Sequence, residues 1–367
     1  MSTRVRSHAK INLGLAIGPA RPDGYHALAT IYQTVAIHDL VEVTAHRLPG
    51  GAASQIAIAC SNPYVPCDAR NTCWKMVERA LERAGIAAQV QIRIEKRLPV
   101  QGGLGAGSAN AAAALLGLER ELGFALPADE RLAIAAETGS DVPLFLLGGT
   151  VLGLGRGEEV YPLPDLPETH CVLAVPRAGV STPRAFRDWD QLQEPMRERI
   201  QSPGSQASAS RPGDGENLLH PLTCDPASDR LKQLGRTWAA ALATPQHAFA
   251  IATGVFPQKD RAGNLLLELV RAGIENDFER VVFSQYPSLR DILDILKDSS
   301  HAESSALYAA LSGSGSALFG LYATEAASQA AMQRLTEAGV PAYSTSLMGR
   351  DSYWRQICGG DMPEETG

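Results

Sequence analysis

A glycine-rich segment in the first third of the chain has the composition of a phosphate-binding loop. It is LPVQGGLGAGSAN (98–110), between a predicted strand and a predicted helix. Glycines let backbone N–H groups approach an anion closely, and a helix start adds unpaired donors and the positive end of the helix dipole. Ser108 could cap this helix, or bind a phosphate oxygen or a metal. The segment lacks the Gly-Lys-Ser/Thr ending and the dinucleotide spacing, so by itself it is also compatible with a plain strand-to-helix turn.

Other residues could act on a substrate hydroxyl or hold a base. Asp141 stands in a polar island before an apolar run, so it either caps a turn or accepts a proton from a hydroxyl. Lys10 lies among apolar strand residues, so its ammonium either has an anionic partner or reaches out to water. Tyr25 and His26 combine an aromatic face with a donor–acceptor ring, as a nucleobase site needs, although an ordinary loop pair has the same composition.

The hydrophobic pattern places these residues on strands that alternate with helices. A second glycine-rich turn, residues 312–316, precedes the last strand and permits either a close backbone approach or a plain turn. The alternation indicates a mixed α/β or α+β fold with two lobes. Strands are predicted over 4–17, 31–43 (with a break at His38-Asp39), 90–95 and 317–322. Helices are predicted over 71–84, 108–122, 129–137, 231–242, 263–272, 289–297 and 325–338.

Composition limits the function class. The 367 residues suggest two or three domains, and the net charge of −7 argues against a nucleic-acid or anionic-membrane partner. No apolar run is long enough for a membrane span and the N-terminal apolar stretch is interrupted, which predicts a cytoplasmic protein. The 6 cysteines form no C-x-x-C pair and are expected to be reduced. The polar stretch 194–216 predicts a mobile loop or insertion.

Taken in order, these motifs resemble the GHMP kinase family of small-molecule kinases. The resemblance covers most of residues 5–190 and 276–345. It implies an α+β, two-lobed GHMP kinase fold, with a left-handed βαβ unit in the N-terminal lobe, a ferredoxin-like C-terminal lobe and the active site in the cleft between them. It is carried by AKINLGL (9–15), RPDGYHAL (21–28), QTV (33–35), the glycine-rich segment, TGSDVPLFLLGGTVLGLGRGE (138–158), NDFERVVFSQYP (276–287) and LSGSGSALFGLY (311–322).

The resemblance also implies domains and a reaction. The domains are an ATP-binding domain over 1–165, a C-terminal domain over 166–350 with an insertion at about 194–270, and a polar tail over 351–367. The RPDGYH segment indicates the branch in which ATP phosphorylates the 2-hydroxyl of 4-diphosphocytidyl-2-C-methyl-D-erythritol, in the non-mevalonate isoprenoid pathway. Another GHMP kinase with a different alcohol, and a catalytically inactive nucleotide-binding relative, are the alternatives. A monomer or a homodimer is expected.

Site roles follow from the same resemblance. Asp141 would be the base and Lys10 its charged partner, and Mg²⁺ would arrive with ATP, with Ser108 as a candidate contact and no direct protein metal site. Tyr25 and Phe186 would stack on cytosine and His26 would bind its edge. The full substrate-binding set is Asn12, Tyr25, His26, Tyr32, Thr182 and Phe186. Tyr32 would flank the substrate channel. The ATP-binding set is Lys96, Pro99, Gly102, Gly103, Leu104, Gly105, Ala106, Gly107, Ser108, Ala109 and Asn110. Lys96 would lie near the adenine edge, and at the position of Ala109 the family usually has a serine.

Overall fold

The structure is a computed structural model that describes residues 2–49, 51–100, 102–201, 274–298 and 304–358. The predicted helices at 231–242 and 263–272 lie outside the described residues, as does most of the insertion predicted at about 194–270. Within the described ranges no helix is long and apolar enough to cross a membrane.

The N-terminal lobe is built around a long antiparallel pair, β1 and β2. β4 and β5 both pair with β2 on the edge opposite β1, β4 along residues 40–47 and β5 along residues 30–33, while β3 runs parallel to β4 at the edge of the sheet. Because α1 connects these two parallel neighbours, β3–α1–β4 is the βαβ unit that the resemblance implies. The strands are β1 (Thr3–Ala20), β2 (His26–Arg47), β3 (Gln55–Cys60), β4 (Ala88–Glu95), β5 (Thr150–Leu154) and β6 (Glu159–Pro162).

The predicted break in the second strand at His38-Asp39 is wrong. β2 runs without interruption, and His38 is opposite His8 while Val35 is opposite Ala9. The two intervening residues therefore form a bulge in the ladder. His38 and Asp39 lie just past this bulge and still pair with β1, opposite His8 and Ser7, so the polar pair does not end the strand.

Helices cover one face of this sheet. The alanine-rich α2 lies close to the strands: a Cβ on Gly117 would be 2.7 Å from a methyl group of Val43. This helix begins at Ala106, two residues before the predicted start, with Gly105 as its N-cap in the left-handed conformation. Ser108 therefore lies in the first turn of the helix. It does not cap the helix, which was one of the roles considered for it. The helical elements are α1 (Thr72–Ala84), α2 (Ala106–Leu122), α3 (Ala128–Thr138) and a short 3₁₀ helix (Pro143–Leu146).

The C-terminal lobe is a four-stranded antiparallel sheet with helices. Its spatial order is β10-β7-β9-β8, which is the 4-1-3-2 order of a ferredoxin-like sandwich and confirms that expectation. Its strands are β7 (His170–Ala174), β8 (Tyr308–Leu311), β9 (Leu318–Tyr322) and β10 (Ala342–Ser346). Its helices are α4 (Thr182–Gln201), α5 (Glu279–Gln285), α6 (Pro287–Lys297) and α7 (Glu325–Glu337).

The polar tail predicted over 351–367 is wrong for residues 351–358. They belong to a helix, α8 (Arg350–Cys358), that packs on the N-terminal lobe. Tyr353 and Ile357, one turn apart, are buried in that lobe's core, and the Tyr353 hydroxyl donates to the Phe145 carbonyl at 2.7 Å. Trp354 also packs against this core, and its indole N–H donates to the Leu147 carbonyl at 3.0 Å, so three large side chains anchor an otherwise polar helix.

Candidate active site

The glycine-rich segment lines a cavity of about 380 Å³ at the start of α2. Every residue predicted to bind ATP lines it, apart from Gly102 and Ala109. No side chain caps the N-terminus of α2, so the first N–H groups of the helix are available to an anion. Sequence reasoning missed the apolar wall that completes the cavity, which is formed by Val65, Pro66, Ile94 and Val100.

Two side chains of the loop face inward instead of toward a phosphate. Ala109 is 2% exposed and belongs to the core of the N-terminal lobe. Asn110 is also buried, and its side-chain oxygen accepts a hydrogen bond from the Ser7 hydroxyl at 2.6 Å. The alanine that replaces the family's usual serine therefore removes no hydroxyl from the lining of the cavity, and Ser108 supplies the one hydroxyl there from this turn.

The second glycine-rich turn supports the first from behind. The Ala317 N–H donates to the Gly102 carbonyl at 3.0 Å, and the Ser312 hydroxyl donates to the Gly103 carbonyl at 3.1 Å. Gly103 has φ of 84°, and a Cβ there would overlap the Ser312 carbonyl. A Cβ on Gly315 would overlap the backbone of Gly102. The glycines are thus required because two backbones meet, one from each lobe.

Lys10 and Asp141 meet beside this cavity, as predicted. The Lys10 ammonium lies 3.3 Å from Asp141 Oδ2, and it donates to Asn12 Oδ1 at 2.6 Å. Lys10 is buried, whereas the Asp141 side chain is 31% exposed and so remains open to a substrate. The Tyr32 hydroxyl donates to Asp141 Oδ1 at 3.0 Å. A carboxylate held by a lysine and partly open to solvent can orient a hydroxyl and accept its proton.

Asn12 has a different environment from the one predicted for a substrate contact. It is 2% exposed, its oxygen accepts from Lys10, and its amide donates to the Thr30 hydroxyl at 2.8 Å. Both of its side-chain groups are therefore used within the protein. Its evident effect is to hold the Lys10 ammonium near Asp141.

A second cluster lies around His26. Phe186 stacks on the His26 ring with centroids 4.9 Å apart and planes at 14°, and Phe278 meets Phe186 edge-on. His26 Nε2 is 2.8 Å from Asp190 Oδ1. The sequence analysis predicted that Phe186 stacks on cytosine, whereas its ring lies against the His26 imidazole in the structure. It missed Phe278 and Asp190, because these residues lie far from His26 in the chain.

Tyr25 and Thr182 occupy exposed positions near these groups. Tyr25 is 54% exposed, and the Arg156 guanidinium lies over its ring at 5.0 Å from the centroid. The Thr182 hydroxyl is 2.7 Å from that of Ser314, which links α4 to the second glycine-rich turn. Arg156 was not singled out by the sequence analysis, although it lies in the GLGRGE segment that was quoted.

Lys96 lines the cavity, but its charge already has a partner. Its ammonium lies 2.5 Å from Asp39 Oδ2, and the two side chains are 4% and 0% exposed. Asp39 Oδ1 accepts the N–H groups of Arg97 and Leu98, each at 2.7 Å. Asp39 therefore fixes the backbone that leads into the glycine-rich segment, a role that the sequence analysis missed.

Comparison with known proteins identifies the family. The family models described as "GHMP kinases N terminal domain" and "GHMP kinases C terminal" match residues 71–149 and 259–341. A 4-diphosphocytidyl-2-C-methyl-D-erythritol kinase from Nocardia farcinica (strain IFM 10152) is 38% identical over 237 residues, which are 65% of this chain and 72% of that protein. The chain belongs to the GHMP kinase family. It is an ATP-dependent small-molecule kinase, and its two-lobed fold is the GHMP kinase fold.

Further relatives extend the match over most of the chain. A protein of the same name from Acaryochloris marina (strain MBIC 11017) is 33% identical over 318 residues, 86% of each chain. A solved structure titled as a 4-(cytidine 5'-diphospho)-2C-methyl-D-erythritol kinase has a TM-score of 0.62 and 26% identity, and it covers 95% of this chain and 100% of its own. A mevalonate kinase structure has a TM-score of 0.60 at 11% identity, which shows the shared fold alone.

Proposed function

We propose that this GHMP kinase phosphorylates the 2-hydroxyl of 4-diphosphocytidyl-2-C-methyl-D-erythritol with ATP, giving the 2-phosphate and ADP, in the non-mevalonate isoprenoid pathway. The observation that carries the proposal is that one hairpin, β1–β2, carries both Lys10, which pairs with Asp141, and His26, on which the aromatic ring of Phe186 stacks. A phosphoryl-transfer centre beside a site for a nucleobase suits an alcohol that bears a cytidyl group. The names of the relatives agree with this.

At the reacting centre, Asp141 orients the substrate hydroxyl and accepts its proton. Phosphoryl transfer passes through a loose transition state, so positioning and charge stabilisation dominate the rate. Lys10, held by Asn12, lies against Asp141 and places a positive charge beside the transferring group. The α2 N-terminus and Ser108 hold the nucleotide phosphates. The hydroxyl of Ser108 would be an oxygen ligand of the kind that Mg²⁺ accepts, and an ion carried by ATP would supply positive charge to the phosphates.

At the other end of the substrate, His26 and Tyr25 recognise the base. With Nε2–H donated to Asp190, His26 Nδ1 keeps a lone pair, which suits the exocyclic amino group of cytosine as a donor. Because Arg156 covers one face of the Tyr25 ring, the other face is available for stacking. Phe186 lies against His26 and holds the imidazole in place. A uracil analogue, with a carbonyl in place of the amino group, is expected to bind less tightly.

The test is ADP release from ATP and Mg²⁺, with and without 4-diphosphocytidyl-2-C-methyl-D-erythritol, with product identity checked by phosphorus NMR. Asp141→Asn keeps the shape of the side chain but cannot accept the proton, so turnover falls by about 10²–10⁴-fold while ATP binding is retained. Full activity in this variant refutes the role of Asp141.

A panel of other alcohols separates the remaining alternatives. Mevalonate, homoserine and galactose replace the cytidyl substrate in the same assay. Turnover of one of these alone indicates another GHMP kinase specificity. Binding of ATP with no turnover of any alcohol indicates a catalytically inactive relative. The cytoplasmic location and the choice between monomer and homodimer stay predictions, which fractionation and light scattering test.

A further inference from the structure

Tyr32 contacts the catalytic carboxylate directly. The family resemblance predicted only that it flanks the substrate channel. Its hydroxyl donates to Asp141 Oδ1 at 3.0 Å, while the Lys10 ammonium lies 3.3 Å from Oδ2. Both oxygens of the carboxylate are thus held from within the protein, one by each strand of the β1–β2 pair. Tyr32 itself is 2% exposed.

The surroundings of Tyr32 fit its ring closely. A Cβ on Gly153 would contact the ring at 2.5 Å, and a Cβ on Gly157 would overlap the hydroxyl. Gly157 has φ of 105°, and its carbonyl is a second acceptor for the hydroxyl at 3.5 Å. The Lys10 ammonium lies 5.5 Å from the ring centroid. The phenol therefore has little room to turn away from Asp141.

The hydroxyl is a donor at every working pH. Burial, and then the charge of Asp141 and the hydrogen bond to it, raise the pKa of Tyr32 well above its ordinary value. Tyr32 therefore stays neutral and does not compete with Asp141 as a base. The charged groups that face the Tyr32–Asp141 pair are Lys10 from β1 and Glu158 from the turn between β5 and β6.

We propose that Tyr32 is a positioning residue for phosphoryl transfer: its hydroxyl holds the Asp141 carboxylate in a single orientation toward the substrate hydroxyl. This inference rests on the proposed kinase function. A base held in one orientation needs no reorganisation when the substrate binds. A tyrosine that only lined the substrate channel would affect substrate affinity and not the rate of the chemical step.

The test is Tyr32→Phe, which keeps the ring and removes the hydroxyl. The matched control is Tyr353→Phe, another buried tyrosine whose hydroxyl donates to a backbone carbonyl away from the reacting groups. We expect Tyr32→Phe to lower kcat by about tenfold, with the KM values for ATP and for the alcohol within about twofold of wild type. Tyr353→Phe is expected to change neither kcat nor the KM values.

A second readout needs no substrate. In protein labelled with ¹³C at the aspartate carboxyl carbons, the Asp141 signal is identified by its loss in Asp141→Asn. At one fixed pH, loss of the Tyr32 hydrogen bond moves the chemical shift of this signal in Tyr32→Phe, whereas Tyr353→Phe leaves it in place. If wild type does not phosphorylate the cytidyl substrate, the proposed function fails while this chemical shift still decides whether Tyr32 holds Asp141. An unmoved Asp141 signal overturns the inference, as does a change confined to the KM of the alcohol; circular dichroism verifies the fold of each variant.

Discussion

Asp39 is expected to control both the stability of the N-terminal lobe and the affinity for ATP. It is fully buried and binds three groups at once: the Lys96 ammonium and the N–H groups of Arg97 and Leu98. Asp39→Asn retains the shape of the side chain. The new NH₂ group then faces either the Lys96 ammonium or the N–H groups of Arg97 and Leu98, and all of these are donors too. Lys96 is then a buried charge without a counter-charge.

The size of the effect follows from the burial of the pair. Removal of one partner from a buried ion pair costs about 3–5 kcal/mol, which is a large part of a typical free energy of unfolding. Glu95→Gln is the matched control, since Glu95 pairs with Arg97 at 2.7 Å but both side chains are about half exposed. An exposed pair of this kind contributes about 0–1 kcal/mol.

The assay is urea denaturation combined with ATP titration. Asp39→Asn is expected to lose about 3–5 kcal/mol of unfolding free energy and to raise the KM for ATP, because residues 97 and 98 lead into the phosphate-binding segment. Adding Lys96→Met removes the unpaired charge and is expected to restore part of the stability. If Asp39→Asn is as stable as Glu95→Gln, or if the second substitution destabilises further, the account of this pair is wrong.

Two other predictions concern a buried histidine and the base-binding end of the site. Burial, and to a lesser extent the neighbouring His38, lower the pKa of His8 from 6.5 to about 3. Below pH 6.5 the unfolded chain therefore binds a proton at His8 that the folded protein does not bind. The free energy of unfolding therefore falls by about 2 kcal/mol from pH 7 to pH 5. In denaturation measurements His8→Asn reduces this pH dependence, whereas His46→Asn, at an exposed histidine, does not. Arg156→Ala frees the Tyr25 ring, so the KM for the alcohol rises about two- to fivefold at constant kcat; a loss in kcat alone would contradict this.

The spacing of apolar residues correctly located those helices and strands whose buried face is formed within one segment of the chain. The spacing of apolar residues located α1 and β4 to within two residues, because one face of each is buried. The same patterns failed at His38-Asp39, where β2 continues just past a bulge, and at residues 351–358, where Tyr353, Trp354 and Ile357 anchor a helix. In both cases the deciding contact comes from another part of the chain.

The site shows the same division between local and distant information. The glycines and the Lys10–Asp141 pair were predictable because the family resemblance identifies them by motif. The Asp39–Lys96 pair joins two strands that pair in register, and no motif marks either residue. Asp190 reaches His26 from the C-terminal lobe, so only the fold brings them together.

The segment NDF, residues 276–278, explains how the C-terminal lobe determines the geometry of a site built on the N-terminal lobe. Asn276 donates to the carbonyls of Leu311 and Gly313, each at 2.8 Å, and so holds the turn that supports the phosphate-binding segment. Asp277 accepts the Ile17 N–H on β1 at 2.9 Å, and Phe278 supports Phe186 beside His26. Three consecutive residues thus connect the nucleotide end, the central hairpin and the base-binding end. Because the contacts of each lobe complete the other's loops, neither lobe alone has the geometry that phosphoryl transfer requires.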